Sequence, residues 1–101
     1  MIQIKMNKND EYFEVTVKGH AGFANYGNDI VCAAVSVALI MTGNLLLKYN
    51  DGYNVLDLKS EEGHFNLKVK LDKCSLLICD NLEDTLAEIA RQYPKNVKFN
   101  G

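Results

Sequence analysis

The sequence predicts an α+β fold: a two-layer sandwich in which a mixed, mostly antiparallel sheet carries two helices on one face, in the order ββαββαβ. Three observations point to it. Apolar residues alternate with polar ones at Ile2, Ile4, Met6 and again at Phe13, Val15, Val17, the two-residue period of half-buried strands. The apolar segment from Ile30 to about Tyr49 is too long for a strand. A third segment spaces Ile78, Leu82, Leu86, Ile89 and Tyr93 by four, four, three and four residues, the stripe of an amphipathic helix.

The elements follow in order. "NKND" supplies turn residues between the first two strands, and Lys5, Glu14, Thr16 and Lys18 fall on the opposite parity, so this hairpin has one wet face. Asp29 suits the N-cap of a helix running from Ile30 to about Tyr49, which should stop at "NDG", residues 50 to 52. A second hairpin pairs Val55, Leu56 and Leu58 with Phe65, Leu67, Val69 and Leu71 through "SEEG". The second helix spans about Lys73 to Tyr93, with Asp72 as N-cap and Pro94 just beyond its end. Val97 to Phe99 forms a last short strand. Each helix has one apolar stripe and the sheet one apolar face, and stacking them buries both.

A chain of 101 residues forms a single domain, residues 1–101, and its hydrophobic share of 48% is ordinary for a globular protein. The net charge of −2 and the absence of any lysine-rich or arginine-rich run argue against nucleic acid as a direct partner. The N-terminus, "MIQIKMNKND", lacks the basic and apolar succession of a secretion signal, so the cytoplasm is the expected compartment. The segment Ile30 to Leu47 is near the lower length limit of a membrane span and is interrupted by Thr42, Gly43 and Asn44, so no membrane partner is expected. Cys32, Cys74 and Cys79 are an odd number, and Cys74 and Cys79 would sit roughly 140° apart on a helix, which disfavours a disulfide framework. Two histidines and three cysteines without ligand spacing predict no metal, and no cofactor motif is present.

The chemistry concentrates in "GHAGFANYGNDIVCAAVSVAL", residues 19 to 39. If Asp29 caps the helix, Cys32 is its third residue, where free backbone N–H groups and the positive end of the helix dipole favour a thiolate and could hold an oxyanion. A nucleophilic cysteine needs a base, and of the two histidines His20 is favoured because it follows the second strand directly, whereas His64 would need its strand end at the same edge. Gly19, Gly22 and Gly27 suit a flexible loop that closes over an extended substrate, which Phe23 and Tyr26 would touch. Ser36 lies one turn after Cys32 on the same face. Packing alone is the competing account of Cys32: a small apolar residue early in a buried helix.

The same stretch, with its Gly-His-Ala start, its Asp-Ile-Val-Cys-Ala-Ala run and the serine that follows, closely resembles the signature of the bacterial ribosomal-processing cysteine protease family Prp, and "GHF" at residues 63 to 65 also resembles it. The resemblance implies a homodimeric cysteine endopeptidase that removes a short phenylalanine-containing N-terminal extension from a large-subunit ribosomal protein. Carried over by motif, Cys32 is the nucleophile and His20 the general base, with Asp29 and Ser36 in supporting roles. The loop "AGFANY" departs from the family in carrying fewer charges. A non-catalytic ribosome-associated binding or assembly module is the alternative, and a thiol peroxidase a weaker one, since Cys74 and Cys79 have no evident route to Cys32.

Overall fold

The computed structural model describes residues 1–19 and 26–100, without the side chains of 26–29. Strands β1 (Ile2–Lys8) and β2 (Tyr12–Lys18) form the first hairpin, followed by helix α1 (Tyr26–Lys48), strands β3 (Val55–Glu61) and β4 (His64–Lys70), helix α2 (Lys73–Gln92) and strand β5 (Val97–Asn100). The ββαββαβ order is as predicted. The sheet runs β3-β4-β2-β1-β5. Three of its pairings are antiparallel and the fourth, β1 with β5, is parallel.

The strand pleat sets the layers. Ile2, Ile4 and Met6 of β1, Phe13, Val15 and Val17 of β2, and Phe65, Leu67 and Val69 of β4 all turn to one side and are buried. Val31, Val35, Leu39 and Leu46 of α1 and Cys79, Leu82 and Leu86 of α2 meet them in one cluster. β3 is the edge strand next to β4, mostly exposed, with Leu58 half-buried against that cluster.

The helix ends show where local chemistry acts. Asp72 caps α2 as predicted: its carboxylate accepts the Ser75 N–H at 2.8 Å, and the Ser75 hydroxyl accepts the Asp72 N–H at 2.7 Å. α1 ends at Lys48, and the expected "NDG" stop is a left-handed corner, with φ of 52° at Asn50, 54° at Asp51 and 76° at Gly52. At its other end α1 departs from expectation. It begins at Tyr26, one turn earlier than predicted, so Gly27 and Asp29 are inside the helix and Asp29 is not its N-cap. Tyr26 to Asp29 contains no proline, so every residue keeps the N–H that lets helical hydrogen bonding extend back by a turn, although Gly27, Asn28 and Asp29 are weak helix formers.

α1 is also long and apolar enough to cross a membrane by length and composition, with one third of that apolar stretch buried inside the fold. Its apolar residues divide between the core and an exposed stripe that includes Val37, Ile40, Met41 and Leu45.

Candidate active site

A cavity of about 350 Å³ opens where α1 passes the end of the sheet. Cys32, Val35, Ser36, Leu39 and Ile40 form its helical wall, Val17 and Gly19 its floor at the end of β2, and the turn from Ser60 to Phe65 its far side. Cys32 and Ser36 share this wall because residues four apart lie on one helix face. Cys32 is half-buried, so its sulfur sits at a boundary between core and cavity.

Gly19 is fixed in place. Its φ is 103°, a conformation suited to glycine, and an added Cβ would collide with the carbonyl oxygen of Met1. Its N–H donates to the carbonyl of Gly63 at 3.0 Å, tying the end of β2 to the β3–β4 turn. Gly19 is therefore an anchor rather than a hinge. The predicted base His20, the loop residue Gly22 and the predicted substrate contact Phe23 lie outside the described residues; Gly27 and Tyr26 fall in the first turn of α1.

The early helix start changes the expected electrostatics. Cys32 is the seventh residue of α1, so its N–H lies within the helical ladder, and the field of the helix end fades within the first turn. The oxyanion cradle expected from unpaired N–H groups at Cys32 is absent from this arrangement.

The β3–β4 turn was not foreseen as a cavity wall, although "GHF" marked it. The strands extend further than "SEEG" suggested, leaving Glu62 and Gly63 to make the turn, with φ of 74° at Gly63. His64 does reach the same edge, in register with Lys18 and Glu61. His64 lines the cavity with Cys32, although its place in the pleat is opposite in parity to buried Phe65. Among the described residues, no three histidine, cysteine or acidic side chains come together as metal ligands.

The other two cysteines sit in different surroundings. Cys74 is exposed, whereas Cys79 is fully buried and its thiol is pushed up to about 12, first by burial and then by the Asp80 carboxylate.

The family described as cysteine protease Prp matches residues 1–98. The ribosomal processing cysteine protease Prp of Staphylococcus aureus is 29% identical, covering 99% of this chain and 98% of its own. That of Bacillus subtilis is 28% identical over 85% of this chain and 80% of its own. The solved structure of the essential ribosomal processing protease Prp from S. aureus with a substrate peptide superposes with a TM-score of 0.80 at 27% identity, covering 99% of this chain and 98% of that one.

Proposed function

From the premise that this chain belongs to the cysteine protease Prp family, we propose that it is an endopeptidase that removes a short phenylalanine-containing N-terminal extension from a large-subunit ribosomal protein. The observation that carries this reading is the cavity itself: Cys32 borders a space with an apolar wall of Ile2, Val17, Val35, Leu39, Ile40 and Phe65 and a polar rim at Ser60 to His64, of a size suited to an aromatic side chain. The relatives described as ribosomal processing proteases support the substrate class.

In this mechanism the Cys32 sulfur attacks the scissile carbonyl, forming a C–S bond. His20 protonates the departing amine as the C–N bond breaks, and water then hydrolyses the thioester to release the acid and restore the thiol. Ser36 lines the cavity one turn from Cys32, and Asp29 lies one turn before it. The oxyanion donors come from elsewhere than the Cys32 N–H, which the helix uses. The protein works in the cytoplasm, where ribosomal proteins are made.

We also assign it a homodimer. Val37, Ile40, Met41 and Leu45 are each more than half exposed on α1, an apolar stripe that a second copy would cover. Ile40 belongs to both the stripe and the cavity wall, so the interface would border the site.

The test is mass spectrometry of a peptide bearing such an extension after incubation with the wild type, Cys32→Ala and His20→Ala. A single cut by the wild type and none by either variant is expected. No cut by folded wild type, or cleavage by either variant, would overturn the assignment.

A further inference from the structure

The sheet face that carries no helix collects positive charge that no linear stretch of the sequence shows. The register aligns its outward residues in rows across the strands. One row reads Glu61, His64, Lys18, Gln3, Lys98, and the next reads Lys59, Asn66, Thr16, Lys5, Asn100. Beyond them lie Asp57, Lys68, Glu14 and Asn7, then Lys70 opposite Tyr12. Six of the chain's eleven cationic residues are on this face, against three of its thirteen acidic ones. A chain of net charge −2 thus presents one basic surface.

These cations are available. Lys5, Lys18, Lys59, Lys70 and Lys98 are exposed, and the ion pairs among the described residues involve Lys8 and Arg91 instead. Strands are spaced about 4.8 Å apart, which sets Lys18 and Lys98 roughly 10 Å apart and Lys59 and Lys5 roughly 14 Å apart. The Lys68 ammonium stands over the Tyr12 ring, 5.4 Å from its centroid, and so covers that ring face itself.

We propose that this open face docks single-stranded RNA, its lysines on the phosphates. Charge complementarity selects a polyanion, and cations spread along the rows of an open sheet face are the pattern that tracks a phosphate backbone without sequence preference. A bilayer fits poorly, because none of the large exposed apolar residues occupies an outward position of β1, β2, β4 or β5. The sequence-based expectation against nucleic acid looked for lysines in a run; strand pairing brings them together from five separate segments. The inference stands apart from the protease reading, since Lys5, Lys59 and Lys98 lie outside the cavity.

The experiment is fluorescence anisotropy of the full chain with a labelled single-stranded RNA, titrated across salt concentrations. Its controls are polyglutamate and vesicles of anionic lipid. Lys5→Gln/Lys59→Gln/Lys98→Gln is compared with Lys48→Gln/Lys73→Gln/Lys95→Gln, which removes the same charge elsewhere. The expected result is tenfold or greater loss of affinity in the first variant at low salt, with the log–log salt slope smaller by about 2, as three lost phosphate contacts predict. The second variant should stay within about twofold of wild type. Unchanged far-UV circular dichroism and urea midpoints show that both variants are folded. The proposal is overturned if wild type does not bind RNA at low salt, if both variants lose affinity equally, or if polyglutamate or vesicles bind as tightly as RNA.

Discussion

The two helices cover the same sheet with different outer faces. α2 buries Cys79, Leu82 and Leu86 and shows solvent Asn81, Asp84, Ala87, Glu88 and Arg91 over most of its length. α1 buries Val31, Val35, Leu39 and Leu46, yet keeps Val37, Ile40, Met41 and Leu45 exposed. A helix whose one task is to pack needs a single apolar stripe. The second apolar stripe of α1, with Cys32 on the flank between them, marks a helix that also walls a cavity and leaves an apolar face to solvent. The cysteines repeat the contrast: Cys79 is sealed in the core, while Cys32 stands at a cavity wall.

Exchanging the roles of the two cysteines should give the largest effect. Cys32→Ala is expected to lower kcat by on the order of 10⁴ or more with the fold intact, as loss of a nucleophile does. Cys79→Ala should keep kcat within about twofold while lowering the urea midpoint. Comparable kcat values in the two variants would erase the distinction.

Next come the apolar stripes. Leu86→Ala, at a fully buried position of α2, should destabilise the protein by about 2–5 kcal/mol in urea unfolding. Met41→Glu, at a position 67% exposed on α1, should change the stability of the single chain by no more than about 0.5 kcal/mol and abolish the proposed dimer in sedimentation. A large loss of monomer stability from Met41→Glu would mean that the outer stripe of α1 packs within the chain.

A smaller effect concerns the α2 cap, for which α1 has no counterpart at Asp29. The Ser75 backbone N–H, then the Tyr49 hydroxyl, hold the Asp72 carboxyl at about 2, below its ordinary value of 3.8. A depressed carboxyl stabilises the fold above the ordinary value, and that stabilisation is lost as pH falls from about 4 to about 2. Asp72→Ala should lower Tm by about 4–8 °C at pH 7. Asp72→Asn should keep more of the Tm and flatten its fall between pH 4 and pH 2.

The smallest expected change is a gain. Gly43 is buried in α1, and an added Cβ would meet only Leu58 methyl groups at 3.9 Å, ordinary contact. Gly43→Ala should therefore stabilise the protein by up to about 1 kcal/mol in urea unfolding. A lower midpoint would show that α1 and β3 pack too closely for a methyl group.

Much of the fold was legible because its signals are local. Period-two alternation marked β1, β2 and β4, the spacing of Leu82 and Leu86 marked α2, and Asp72 and Asn50-Asp51-Gly52 acted as cap and stop within a few residues of themselves. The candidate site was legible in part: Cys32 and Ser36 share a cavity wall as helical spacing required. The start of α1 was misread because Asp29 has the chemistry of a cap, and residue type alone does not say whether a helix has already begun.

The sequence by itself determined the order and type of the elements and which face of each is apolar, since these follow from side-chain periodicity and capping chemistry between near neighbours. Only the tertiary structure decided that β5 lies parallel to β1, that Gly63 anchors Gly19 beside Met1, that the Ser60–Phe65 turn closes the cavity opposite Cys32, and that lysines from five strands share one surface. Those relations join residues tens of positions apart. Strand register and helix docking bring them together, and they are set by the burial of the whole apolar surface at once.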